Sequence, residues 1–216
     1  MDTEKDCTEL PLLQIETHEG AILSIQSHKG CLISTSRDKT CRIWDLVTGQ
    51  LKCTLGGHSS WVNKVDISDD YIVTGSYDGS INVWTNNYEI VQEKDLEPIF
   101  SIEGRIDSPQ VFYLMKIPQD DKKQFLIVVS KPYEMNSNSE GLNNSEIVVA
   151  NEIQIWDLQK RRMINAFDRL TPTITCSNFI VQDQQILFCM GCISGSVMED
   201  QSLNIQLEQK IAGLEV

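Results

Sequence analysis

The feature that most constrains the fold of this chain is a repeat with a period of 40 residues. Three residue types keep this period, in the pairs His18 and His58, Asp38 and Asp78, and Trp44 and Trp84. Between these pairs, residues 33–45 (ISTSRDKTCRIWD) align with residues 73–85 (VTGSYDGSINVWT) without a gap. A fixed period of this length predicts a repeat architecture, in which one supersecondary unit is copied and the copies stack on each other.

The sequence pattern inside each unit indicates β-strands. Residues 21–27 (AILSIQS) and 61–67 (WVNKVDI) alternate apolar and polar side chains at period two. The pair Asp78-Gly79 favours a tight hairpin because glycine tolerates positive φ, and Asp38-Lys39 occupies the same turn without a glycine. Each unit is predicted to supply four antiparallel strands, which bury both faces only when copies stack radially. The predicted fold class is therefore all-β, a β-propeller of four-stranded antiparallel blades.

The segment 12–88 resembles two consecutive repeats of the WD-repeat family of β-propellers. The resemblance rests on a structural tetrad of His, Ser or Thr, Asp and Trp, which is present twice: His18, Ser34, Asp38 and Trp44, then His58, Thr74, Asp78 and Trp84. It implies a relay in which Asp orients His, His meets the hydroxyl, and the hydroxyl meets the indole N–H. A buried Trp needs such a partner for its one donor. A His, Asp and Ser set also occurs in hydrolases, but catalytic sets are not periodic, so no catalytic residue is predicted.

The third and fourth units match the repeat less completely than the first two. A third unit ends at Trp156-Asp157, and its excess length predicts a loop insertion at about 132–145, rich in Asn, Ser and Gly. Its tetrad is incomplete, because Ala150 stands at the Asp position, so this blade is expected to be held by packing alone. A fourth unit has no closing Trp. The predicted organisation is a tail at 1–11, a propeller region at 12–208 with units at about 12–48, 51–88, 90–158 and 162–207, and a tail at 209–216.

Four units predict about four blades or an incomplete ring, whereas most members of the resembled family form larger rings. Three alternatives follow: a fragment, a short isoform, or a partner that completes a ring with another chain. An unclosed propeller exposes strand edges and apolar blade faces.

The net charge of the chain argues against two classes of partner. The formal net charge is −13, from 31 acidic and 18 basic residues, which repels nucleic acids and anionic membranes. The N-terminal stretch is acidic and lacks the apolar run of a secretory signal, so a cytoplasmic or nuclear location is predicted.

The seven cysteines are interpreted as free thiols, with Cys31, Cys41 and Cys53 packed in or beside strands. The pair Cys189 and Cys192 lacks a second ligand pair, so neither a metal site nor a cofactor is predicted.

Partner binding is predicted on the rim of the propeller. Arg37 and Tyr77 precede the two turn aspartates, and Trp61 follows the second tetrad histidine by three residues. Arg, Tyr and Trp are the types that most often dominate binding energy at interfaces. An alternative for Trp61 is packing between blades. The predicted ligands are proteins or peptides.

The function predicted from these features is that of an interaction scaffold or adaptor rather than an enzyme. The segment 66–76 (DISDDYIVTGS) is similar to repeats of F-box/WD substrate receptors of ubiquitin ligases, although no F-box is present. Signalling scaffolds that resemble G-protein β are equally compatible. Two further classes are a truncated product without independent activity and an enzyme on a propeller frame. The last would need titratable residues that converge on a pocket, and the sequence offers no such set.

Overall fold

The computed structural model of the protein describes residues 18–87, 96–103, 111–117, 120–129, 133–134, 149–170, 174–182, 185–192 and 197–199. Within these ranges the chain forms β-strands arranged in four sheets, and no helix. The two tails that were predicted at 1–11 and 209–216 lie outside the described residues.

The first sheet is an antiparallel meander in which each strand pairs with the next along the chain. Its strands are β1 (Ile22–His28), β2 (Cys31–Ser36), β3 (Cys41–Asp45) and β4 (Leu51–Leu55). The turn between β1 and β2 consists of Lys29 and Gly30, with φ of 44° and 75°. Positive φ at both central residues is the geometry of a type I′ hairpin, whose twist matches that of the flanking strands.

The second sheet repeats the first in the same order. Its strands are β5 (Val62–Ile67), β6 (Tyr71–Ser76), β7 (Ser80–Thr85) and β8 (Phe100–Glu103). The strand register is also repeated, because Ile25 lies opposite Ser34 in the first sheet and Val65 lies opposite Thr74 in the second. In each of these two sheets the fourth strand follows the strand that carries the Trp.

The third sheet has five strands that occupy four rows. They are β9 (Val111–Ile117), β10 (Asp120–Val129), β11 (Tyr133–Glu134), β12 (Val149–Asp157) and β13 (Arg162–Leu170). Both β10 and β11 pair with β12 along the same edge, β11 at Ala150 and β10 further along. The insertion predicted at 132–145 lies outside the described residues except for β11.

The fourth sheet is described as three antiparallel strands: β14 (Ile174–Gln182), β15 (Gln185–Cys192) and β16 (Val197–Glu199). Cys189 and Cys192 both lie on β15.

The four sheets stack in a row through their first strands. Strand β1 contacts β5, β5 contacts β9, and β9 contacts β14. Among the described strands, no comparable contact joins the fourth sheet back to the first. The prediction of an all-β propeller with four-stranded antiparallel blades is confirmed, in the form of an incomplete ring.

Side chains that alternate along the strands give each sheet two faces. We call the face that carries the tetrad hydroxyl and Trp the leading face, and the opposite face the trailing face. The trailing face of the first sheet packs on the leading face of the second, through Cys31, Ile33, Cys41, Ile43, Cys53 and Leu55 against Val62, Val65, Ile72 and Trp84. The trailing face of the second sheet packs on the leading face of the third, through Val73, Ile81, Val83 and Ile102 against Leu126, Val128 and Leu158.

The cysteines of the first core are packing residues. Cys31, Cys41 and Cys53 are free thiols and all three are buried, which confirms their predicted place in the strands. Burial raises the pKa of the Cys53 thiol to about 12 and raises that of Cys41 as well. Both thiols therefore stay protonated at neutral pH.

Candidate functional site

The structure brings the four residues of the first tetrad together. His18 precedes β1, and its Nδ1 atom lies 2.7 Å from Asp38 Oδ2 in the turn between β2 and β3. Its Nε2 atom lies 2.7 Å from Ser34 Oγ on β2. The Trp44 indole N–H on β3 donates to the same oxygen at 2.8 Å. A carboxylate only accepts, so the Nδ1–H of His18 donates to Asp38, while the Nε2 atom faces the hydroxyl that also accepts the indole N–H.

The second tetrad has the same geometry 40 residues later. His58 Nδ1 lies 3.2 Å from Asp78 Oδ2, and His58 Nε2 lies 2.9 Å from Thr74 Oγ1. The Trp84 indole N–H donates to Thr74 Oγ1 at 3.0 Å. The hydroxyl of Ser80 adds a contact of 3.0 Å to His58 Nδ1. Each tetrad therefore ties together four positions of its own sheet: the entry to the first strand, the second strand, the turn that follows it, and the third strand.

The electrostatics of the tetrads favour charged aspartates. Burial opposes ionisation of Asp38, but hydrogen bonds from Thr40, His18 and the backbone outweigh it and lower the pKa to about 2. The pKa of Asp78 also falls to about 2, because hydrogen bonds from Ser80 and Ser59 outweigh the effect of burial. Burial lowers the pKa of His58, although the neighbouring Asp78 acts in the opposite direction. The second tetrad thus pairs a neutral imidazole with a carboxylate.

The tetrad hydroxyls are not available as nucleophiles. Ser34 and Thr74 are 2% and 0% exposed, and each already accepts an indole N–H. A substrate has no access to either oxygen. The chemistry of the arrangement is that of an internal strut, in which every buried polar atom of the relay has a partner.

The third sheet replaces the relay with a single hydrogen bond. Trp156 lies opposite Leu126, as Trp84 lies opposite Ile72. Two residues beyond Leu126, the position of the hydroxyl is taken by the buried Val128. The Trp156 indole N–H donates instead to Gln154 Oε1 at 2.9 Å. Sequence reasoning identified the missing Asp at Ala150 but missed Val128 and Gln154, because the inserted residues place Val128 28 positions before Trp156 (156 − 128), whereas Thr74 lies ten before Trp84 (84 − 74).

The three predicted rim residues lie together at one end of the first two sheets, where the tetrad turns are. The guanidinium carbon of Arg37 lies 4.3 Å from the centroid of the Trp61 ring. The rings of Trp61 and Tyr77 meet edge to face, with centroids 5.7 Å apart and planes at 74°. Trp61 and Tyr77 are each 41% exposed, and Arg37 is exposed as well. We call this group the rim cluster. It joins an arginine of the first sheet to two aromatic residues of the second.

Backbone geometry holds the rim cluster in place. The N–H of Arg37 donates to the carbonyl of Ala21, and the N–H of Tyr77 donates to the carbonyl of Trp61, each at 2.9 Å. Beneath Arg37, a Cβ atom on Gly20 would lie 2.8 Å from the backbone nitrogen of Asp38. Only glycine permits this close approach of the strand entry to the tetrad turn.

A cavity of about 430 Å³ lies beside the second tetrad turn. Its polar lining consists of Ser59, Asp78, Ser80, Asn82, Glu97, Ser101 and Glu103. Sequence reasoning did not find this cavity, since Glu97 and Glu103 reach it from the approach to β8 and from β8 itself, outside the 40-residue alignment.

Comparison with known proteins identifies the repeats. The profile of the family described as "WD domain, G-beta repeat" matches residues 10–45 and 49–85, the segments that hold both tetrads. Both segments are therefore similar to the repeats of this family. Curated WD-repeat relatives include the Periodic tryptophan protein 2 homolog of Caenorhabditis elegans, which is 44% identical over 43 residues, or 20% of this chain and 5% of that protein. Mitochondrial division protein 1 of Neurospora crassa is 42% identical over 43 residues, 20% of this chain and 7% of that protein. The chain therefore spans only a small part of the relatives it matches.

Two solved structures share the fold of this chain. The computationally designed Ika4 protein superposes with a TM-score of 0.60 at 23% identity, over 89% of this chain and 98% of that one. The computationally designed Ika8 protein superposes with a TM-score of 0.57 at 22% identity, over 86% of this chain but 47% of that one.

Two kinds of site are absent from the described part of the chain. No group of three or more His, Cys, Asp or Glu residues there is placed to hold a metal ion. Nor does that part contain a helix with the length and apolar character of a membrane span.

Proposed function

We propose that this chain binds a protein or peptide through the rim cluster of Arg37, Trp61 and Tyr77. The WD repeats make the chain a protein-interaction scaffold in general terms. The observation that supports the specific surface is the exposure of two aromatic rings in edge-to-face contact, with a guanidinium over one of them. We propose no catalytic role, since the buried hydroxyls of the tetrads serve as struts.

The chemistry of the rim cluster indicates the kind of ligand. Trp61 and Tyr77 offer rigid apolar surface that loses little conformational entropy on binding. Arg37 adds a planar set of N–H donors, and among the described residues no acceptor pairs with its guanidinium group. A matching ligand presents an apolar or aromatic side chain next to a carboxylate or a carbonyl oxygen. An extended peptide segment of a partner protein meets both requirements.

A screen of displayed random peptides against the immobilised chain tests this proposal. Peptides selected on the wild-type protein are expected to bind Arg37→Ala and Tyr77→Ala at least about tenfold more weakly, as expected for hot-spot residues. Val47→Ala is the matched control, because Val47 is 89% exposed and lies in the turn between β3 and β4, at the opposite end of the first sheet. Selected peptides that bind all variants equally, with unchanged melting temperatures, would contradict a rim site.

The particular adaptor role that we favour is substrate recognition in a ubiquitin ligase, with a signalling scaffold that resembles G-protein β as the alternative. The support is the resemblance of residues 66–76 to repeats of F-box/WD receptors. In a reconstituted ubiquitylation reaction, a protein that the rim cluster binds should be modified only when this chain is present. An Arg37→Ala chain that supports the same modification would contradict the role.

We also propose that the chain works in the cytoplasm or the nucleus. Three buried free thiols in one core fit a reducing compartment. Fractionation of cells that express a tagged chain tests this location.

A further inference from the structure

The first sheet leaves apolar side chains exposed on its leading face, at positions where the second sheet buries them. Ile22 and Ile25 on β1 are 49% and 54% exposed. Their equivalents on β5 are Val62 and Val65, which are both 0% exposed. The equivalence is one of register, because Ile22 lies opposite Ser36 as Val62 lies opposite Ser76, with the same bulge in both strands.

A third position shows the same difference. Leu46 follows Trp44 by two residues, as Leu158 follows Trp156. Leu158 is 1% exposed because it packs between the second and third sheets. Leu46 is 42% exposed. We call Ile22, Ile25 and Leu46 the leading patch. Each of its members is apolar and half-exposed where its counterpart is buried.

The second sheet shows what kind of surface covers such a patch. Val62 and Val65 are covered by the trailing face of the sheet before them, through residues such as Cys31 and Ile33. The leading patch therefore fits the trailing face of another propeller sheet. In the row of contacts from β1 through β5 and β9 to β14, the fourth sheet is the one that ends the row.

We propose that the fourth sheet of a second copy of this chain docks on the leading patch. The trailing face of the fourth sheet of each copy then packs on the leading patch of the other copy. These two identical contacts are related by a two-fold axis, and together they close a ring of eight sheets. The fold comparisons support this arrangement, because 89% of this chain superposes on nearly the whole of Ika4 and 86% of it superposes on about half of Ika8. A four-sheet unit of this kind is thus compatible with half of a larger fold.

Sedimentation velocity of the purified chain tests the proposal. One chain has a mass of 24.5 kDa, and the expected species has twice that mass. The double variant Ile22→Glu with Ile25→Glu places two carboxylates in the proposed contact, and it should raise the dissociation constant of the dimer by roughly 100-fold or more. Met163→Glu is the matched control, because Met163 is apolar and 46% exposed but lies on β13 of the third sheet. It should leave the dimer intact.

Each other outcome overturns the proposal. If the wild-type chain sediments as a monomer, a second copy does not cover the leading patch, and the patch is instead covered by further repeats or by another protein. A dimer that survives the double variant, with both chains folded by circular dichroism, places the contact elsewhere. A series of ever larger species excludes a closed ring. Arg37→Ala should keep the dimer, so loss of peptide binding at the rim cluster is distinguishable from loss of assembly.

Discussion

The indole N–H of Trp84 donates to the hydroxyl oxygen of Thr74 at 3.0 Å, and both residues are almost fully buried. Because the same hydroxyl faces His58 Nε2, one oxygen supplies partners for two buried groups. Thr74→Val removes the hydroxyl at nearly constant volume. The free energy of unfolding should fall by about 1–3 kcal/mol for each group left without a partner. Urea denaturation measures the change.

Thr74→Ser is the control for this substitution, because Ser34 performs the same role in the first tetrad. It should cost much less than Thr74→Val. Equal losses in the two variants would mean that the methyl group, rather than the hydroxyl, stabilises the sheet.

The residue after the turn aspartate is a lysine in the first tetrad turn and a glycine in the second, although both have the same backbone conformation. Lys39 has φ of 71° and Gly79 has φ of 84°. A side chain in this left-handed region is strained, so Lys39→Gly should raise the free energy of unfolding by about 0.5–1 kcal/mol after the entropy cost of glycine is subtracted. The reverse change, Gly79→Lys, should lower it. Thermal unfolding of both variants tests the pair, and a stabilising Gly79→Lys would contradict the argument.

The close approach at Gly20 predicts a position that does not tolerate a methyl group. A Cβ atom there would meet the backbone of Arg37 and Asp38, which cannot move without disturbing the tetrad turn. Gly20→Ala should therefore lower the melting temperature by several degrees. Gly56→Ala is a suitable control, because a Cβ on Gly56 would have no heavy atom within 4 Å. Similar melting temperatures for the two variants would show that the turn adapts.

Stability should decrease in two steps as the pH falls. The pKa of His58 is lowered from its ordinary value of 6.5. As the pH falls below 6.5, the histidine therefore becomes protonated in the unfolded chain before it does so in the folded chain, and the free energy of unfolding decreases. The pKa values of Asp38 and Asp78 lie at about 2 instead of 3.8. Their contribution is complete above 3.8 and is lost as the pH falls towards 2. Urea midpoints across this range test the prediction.

Asp78→Asn is the informative variant for the lower step. It should be less stable than wild type near neutral pH and should show a shallower loss of stability between pH 3.8 and 2. An unchanged slope in this window would assign the acid sensitivity to other carboxylates.

The sequence predicted the fold class because the repeat is a local pattern with a strict period. Residues 33–45 and 73–85 carry the same order of apolar, hydroxyl, turn and Trp positions. Their strands therefore take the same register, with Ser34 and Thr74 at the same distance from Trp44 and Trp84. The rim cluster also follows from this register, since Arg37 and Tyr77 each precede a turn aspartate. What the repeat could not predict was the direct contact of Arg37 with Trp61, because these residues belong to different sheets.

Other features were decided by tertiary structure alone. The burial of Val65 and the exposure of Ile25 cannot be read from the sequence, because the two residues have equivalent surroundings within their own sheets. The difference lies in whether a neighbouring sheet covers them. The bond from Trp156 to Gln154 has the same origin, since it forms only where the register brings Val128, rather than a hydroxyl, beside the indole. The period determined how each sheet is built, and the packing of one sheet on the next determined which of its faces remain open for binding.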